Sequence, residues 1–159
     1  MKRQISVLLI ILLLSVTVTA HADVPQFSAE LFANAKQALV CMASGEYERL
    51  VTLLPFSGVS PSANEWQSFA EGNFTTLASG VQTEYSVAYW TGNDWRLAVP
   101  VSVPANGEVE VLMLMSADGL HFSGYCYSDW AMVQTEYEAA SYVTWNQEYL
   151  DATPVIAID

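Results

Sequence analysis

Few residues of this chain have the types and spacing that chemistry requires. The 159 residues include two histidines, two cysteines and 17 acids. His121 is the only histidine after His21, and no group of His, Cys and acidic residues at ligand spacing surrounds it, so no metal site is expected. Its place beside the Asp118-Gly119 turn signal points to an exposed ring. No Gly-x-Ser-x-Gly elbow raises a nucleophilic serine, and no glycine-rich loop is set to cradle a phosphate. No catalytic residue and no cofactor are therefore expected.

Acids are plentiful, so paired carboxylates mean little alone. Glu108 and Glu110 alternate with Val109 and Val111, the pattern of a solvated strand face. Glu84 beside Tyr85 is the nearest match to a general base next to a tyrosine, a role that needs a buried carboxyl of raised pKa. A charged strand end is the plainer reading. Tyr85, Tyr125, Tyr127 and Trp130 are the candidate ligand-binding residues, although large rings also supply much of the core of a small domain.

Those residues must be positioned by a short list of elements. Leu31, Ala35, Leu39 and Met42 recur at helical spacing behind Ser28 as N-cap, with Gly45 as a stop. Tyr47, Leu50, Val51 and Leu54 repeat the period up to Pro55. A third helix opens with Ser62 and Glu65 in capping-box spacing, puts Trp66, Phe69 and Ala70 on one face, and closes near Gly72. Alternating strands then run over roughly 77–90, 95–103, 109–115 and 120–127, joined by TGND, PANG and ADG. Ser128 can cap a further helix with Trp130, Val133, Tyr137 and Ala140 on one face. Residues 142–150 fit helix or strand, and 152–159 read as a mobile or extended tail.

The stretch YWTGNDW, residues 89–95, leaves the register of the first hairpin to be decided. A two-residue loop would set Trp90 opposite Trp95. An odd loop aligns Tyr85, Val87 and Tyr89 with Val101, Val99 and Leu97 and puts Trp90 across from Arg96. Register follows the buried face when one face is buried, which favours the odd loop.

The amino terminus has Lys2 and Arg3, an apolar run from Val7 to Leu14, and Ala20-His21-Ala22, the signature of a signal peptide over residues 1–22. The expected mature chain, residues 23–159 after cleavage near Ala22, suits one domain that is exported, secreted or periplasmic. It has three cations, Lys36, Arg49 and Arg96, against 17 acids, a formal charge of −14. That field repels phosphate backbones and anionic lipid, so neither nucleic acid nor a membrane surface is an expected partner. Cys41 and Cys126 are expected to form one disulfide in an oxidising compartment, stabilising by about 4 kcal/mol in the chain-entropy model. Two buried thiols acting as small hydrophobes are the alternative.

Helices followed by an antiparallel meander specify an α+β fold with helices on a sheet face. The segment ASGEYERLVTLL, the helix containing Trp66, the Gly72-Asn73-Phe74 step and the hairpin with Ser116, Asp118, Gly119 and Gly124 resemble small exported domains of the nuclear transport factor 2-like superfamily. The resemblance spans roughly 30–127 and implies a curved, cone-like sheet around a pocket; it implies no catalytic residue. The resulting expectation is a non-catalytic binding or interaction module whose ligand is a small molecule, peptide or protein. Two alternatives stay open: a pocket isomerase or hydrolase using a buried acid, and a helper domain that binds a protein or peptide at a sheet edge.

Overall fold

The computed structural model describes residues 24–101, 109–140 and 142–145. The expected signal peptide, the Asn106-Gly107 turn, Glu108 and the 152–159 tail lie outside the described residues. The fold is α+β. Helices α1 (Ala29–Ala43), α2 (Tyr47–Leu53) and α3 (Ala63–Asn73) precede strands β1 (Val87–Trp90), β2 (Trp95–Pro100), β3 (Glu110–Ser116) and β4 (Gly124–Asp129). Helix α4 (Trp130–Ala139) and strand β5 (Tyr142–Trp145) follow. The sheet order is β4-β3-β2-β1-β5, so the antiparallel meander gains β5 beside β1.

Local rules account for the helix starts. The Leu31 amide donates to Ser28 Oγ at 3.3 Å. At α3 the box is reciprocal: Glu65 N–H donates to Ser62 Oγ at 3.3 Å and Ser62 N–H to Glu65 Oε2 at 2.7 Å. Helix α4 is capped by Asp129 rather than Ser128, through the Met132 amide at 2.8 Å. The first strand is shorter than its alternation suggested, because Leu77–Ser79 and Thr83–Tyr85 are tight 3-10 turns. The last begins at Gly124 rather than Leu120, after a longer Asp118-Gly119 connection.

Two cores lie on opposite faces of the sheet. On one, Leu31, Ala35, Leu39, Leu50 and Trp66 meet Trp90, Trp95, Leu97, Val99, Leu112 and Leu114. On the other, Val133 with Trp130, Tyr137 and Ala140 of the α4 segment covers Val87, Tyr89, Ala98, Val111 and Met113. This double cover corrects the hairpin register. Trp90 pairs with Trp95, Tyr89 with Arg96 and Ala88 with Leu97. With both faces buried, either register hides its apolar groups, and burial no longer chooses between them. Turn chemistry chooses instead. The Thr91 amide donates to Asp94 O at 3.0 Å, the Thr91 hydroxyl donates to Asp94 Oδ1 at 2.6 Å, and Gly92 takes φ 103°. Only glycine adopts that angle without a steric penalty.

The same geometry corrects the disulfide. Cys41 sits in the core on the α1–α3 side, whereas Cys126 packs into the core under α4. Both are free thiols separated by the sheet.

Candidate functional site

Tyr125 and Tyr127 are two residues apart on β4, so the pleat directs both to the α1–α3 side. Strand β4 is an edge, paired among the described strands with β3 alone. Helix α3 brings Trp66 and Phe69 against Tyr125, with ring centroids at 4.1 and 4.9 Å. The parallel bridge between Phe56 and Phe122 carries the Phe56 ring to 6.2 Å from both Trp66 and Tyr125. Phe74, the residue that ends α3, continues the row: it lies 5.7 Å from Phe69 and 5.6 Å from Tyr127. The result is an aromatic strip along the sheet edge, sealed at Trp66 and open to solvent at Tyr127, which is 37% exposed. Rings of this size bury about 150–250 Å² each.

The four candidate ligand residues do not assemble into one site. Tyr125 and Tyr127 share the strip. Trp130 packs under α4 on the opposite face of the sheet. Tyr85 lies half-exposed in a tight turn before β1, beside an exposed Glu84. Trp66, Phe69 and Phe74 complete the strip, and the sequence reading did not single them out as site residues. The signal was Trp66 and Phe69 three apart on a helix, but their meeting with a strand some 60 residues later is a tertiary fact.

Trp66 is fully buried, and its Nε1–H is the buried side-chain donor without a hydrogen-bond partner among the described residues. Such an orphan costs about 1–3 kcal/mol. Aromatic packing on several sides offsets it.

Three polar clusters surround the cores. Glu110, read from sequence as solvated, is only 5% exposed. It accepts from the amide and hydroxyl of Thr75 at 2.8 and 2.7 Å and from those of Thr76 at 3.0 and 2.7 Å. Burial pushes its pKa up, but these donors outweigh burial and hold it below the usual value. Under α4, the Tyr89 hydroxyl donates to Glu136 Oε2 at 2.8 Å, and Arg96 bonds Asp94 at 3.1 Å and lies 3.8 Å from Glu136. Burial first, then the bond to Glu136, raises the Tyr89 pKa far above the ordinary tyrosine value. Burial likewise raises the Cys126 thiol, with Arg96 opposing and Glu136 adding.

The third cluster is the Ser116–His121 turn. His121 is half-exposed, as expected, with Nδ1 2.9 Å from Asp118 Oδ2. The Ser116 hydroxyl donates to the His121 main-chain oxygen at 2.7 Å, so serine and imidazole form no proton relay. Desolvation raises the Asp118 pKa, but the His121 ring and the Leu120 and His121 amides overcome it and hold this carboxyl well below the usual range. Among the described residues no group of three His, Cys or acidic side chains is arranged to hold a metal ion.

A surface cleft of about 470 Å³ lies between α2 and α3, lined by Glu46, Tyr47, Arg49, Asn64 and Gln67 among others. Arg49 is engaged there by Glu46 at 3.0 Å. The space between the helices and the sheet, where the resemblance implied a pocket, is filled by Trp66, Trp95, Phe122, Leu39 and Leu97. Compared with family models, with characterised proteins and with solved structures, the chain gives no match in any of the three.

Proposed function

We propose that this protein is an exported, non-catalytic interaction module that engages a protein or peptide through the aromatic strip on the β4 edge. The observation that carries this reading is the pair Tyr125 and Tyr127, side by side on an edge strand and backed by Trp66, Phe69 and Phe74. Rigid aromatic side chains with one open end are the usual anchors of interaction surfaces. Export is supported by the amino-terminal pattern of Lys2, Arg3, the apolar run and Ala20-His21-Ala22. Three helices followed by a meander support the nuclear transport factor 2-like reading, with α4 and β5 as additions to that plan.

Two observations argue against the pocket-enzyme alternative. A general base needs a carboxyl of raised pKa, yet the buried Glu110 is saturated by four donors and held low. Glu84, the other candidate, is exposed.

The test is retention of native partners on immobilised protein. Wild type and Tyr127→Ser are compared on extract from the producing cells, with thermal unfolding run on both. Loss of a retained band with an unchanged unfolding midpoint supports the reading. Identical retention by both proteins overturns it.

A further inference from the structure

We propose that the cleft between α2 and α3 is a second binding site, one that takes a neutral saccharide of one or two rings. It is built from other side chains than the aromatic strip and does not rest on the reading of that strip.

The first ground is the build of the cleft. Its volume of about 470 Å³ falls within the range of about 300–1,000 Å³ found for small-ligand sites. Residues 45–49, where the chain passes from α1 into α2, form one wall, and Ala63, Asn64 and Gln67 of α3 form the other. Asn64 and Gln67 are three apart and share one face of α3, while Trp66 and Ala70 are buried in the core. Tyr47 lines the cleft and is half-buried against the helix-side core. A tyrosine held in this way offers an apolar ring with a polar tip.

The second ground is the chemistry of the lining. Arg49 is paired with Glu46 at 3.0 Å, and Gln67 donates to Glu71 at 2.7 Å. Among the described residues no side-chain hydrogen bond engages Tyr47, Glu48 or Asn64. These three supply a hydroxyl, a carboxylate acceptor and a carboxamide that both donates and accepts. Sugar hydroxyls donate and accept in the same way, and the C–H face of a pyranose ring is apolar enough to lie on tyrosine. An anion meets Glu46 and Glu48, and a cation meets Arg49. A wholly apolar ligand would strip water from Glu48 and Asn64 and return no hydrogen bond.

The experiment titrates nitrogen-15-labelled protein with maltose, cellobiose and N,N′-diacetylchitobiose, following backbone amide shifts. At least one of the three should saturate with a Kd of about 1 mM or below and shift the amides of residues 45–49 and 63–67. The sugar that binds is then compared with its uronic acid and amino-sugar twins, each of which should bind about tenfold more weakly. Tyr47→Phe keeps the ring in the core and removes the hydroxyl, and Asn64→Ala removes an exposed carboxamide. Each should weaken binding about three- to tenfold. Gln134→Ala, exposed on α4 over the other sheet face, and Tyr127→Ser on the strip should leave sugar binding unchanged.

No shift at residues 45–49 and 63–67 with any of the three sugars would overturn the proposal. So would wild-type affinity in both Tyr47→Phe and Asn64→Ala. A charged twin that binds more tightly than its neutral parent would overturn the assignment of a neutral ligand. Binding weakened by Tyr127→Ser and untouched by the cleft variants would move the sugar to the strip and overturn the cleft as its site.

Discussion

The indoles of Trp90 and Trp95 meet across the two-residue Gly92-Asn93 turn, with ring centroids 5.6 Å apart and planes at 61°. They hold β1 to β2 inside the helix-side core. Trp95 also donates its Nε1–H to Pro25 O at 2.9 Å, which ties the segment before α1 to the sheet. These tryptophans staple the fold and offer no ligand platform. A double-mutant cycle with Trp90→Leu and Trp95→Leu should give a coupling of about 0.5–1.5 kcal/mol. Additive losses would contradict the pairing.

Glu110 links β3 to the loop after α3, and its protonation should weaken the fold. The sign follows from its lowered pKa. The stabilisation is present above the unfolded-state value of about 4.3 and is lost as pH falls through the lower folded-state value. Glu110→Gln puts an amide donor against threonine donors and should cost about 1–3 kcal/mol at neutral pH. The gap to wild type should narrow in acid. A gap independent of pH, measured by urea unfolding between neutral and acidic buffer, would contradict this account.

The thiols of Cys41 and Cys126 should both titrate as free in unfolded, unreduced protein. In the native state Cys126, only partly buried, should react first, while Cys41, buried in α1, should wait for unfolding. Intact mass before and after reduction is the direct check. A gain of two hydrogens on reduction would restore the disulfide.

Gly119 has φ 74°, and a Cβ built there would clash with the Gln26 main-chain oxygen. Its own carbonyl accepts from the Ser28 amide at 2.9 Å. Gly119→Ala should therefore destabilise by about 1–3 kcal/mol and loosen the segment before α1. Unchanged stability, with the Trp95 indole proton still protected from exchange, would show that this approach is not needed.

How much of this was legible beforehand depends on the range of each interaction. The caps at Ser28, Ser62 and Glu65 and the α4 stripe of Trp130, Val133, Tyr137 and Ala140 are set by neighbours within a turn or two, and they read correctly. The Trp90–Trp95 register did not, because it depends on whether α4 covers the second sheet face. Alternation made Glu110 look solvated, yet its burial depends on Thr75 and Thr76, 35 and 34 residues earlier. The cysteines were counted correctly, but the sheet face each occupies is a tertiary property. Tyr125 and Tyr127 were legible as candidates. Their backing by Trp66 and Phe69 was not, since it needs α3 docked on β4.

The central claim is that the open end of the strip at Tyr127 is where a partner sits. Photocrosslinking in the producing cells tests it most directly, with benzoylphenylalanine placed at position 127 and, separately, at position 132. Met132 is 56% exposed on α4, which covers the opposite face of the sheet, and so serves as the control. The account predicts a discrete crosslinked species from position 127 that is missing from position 132. The same species from both positions, or none from 127 while 132 crosslinks, would contradict it.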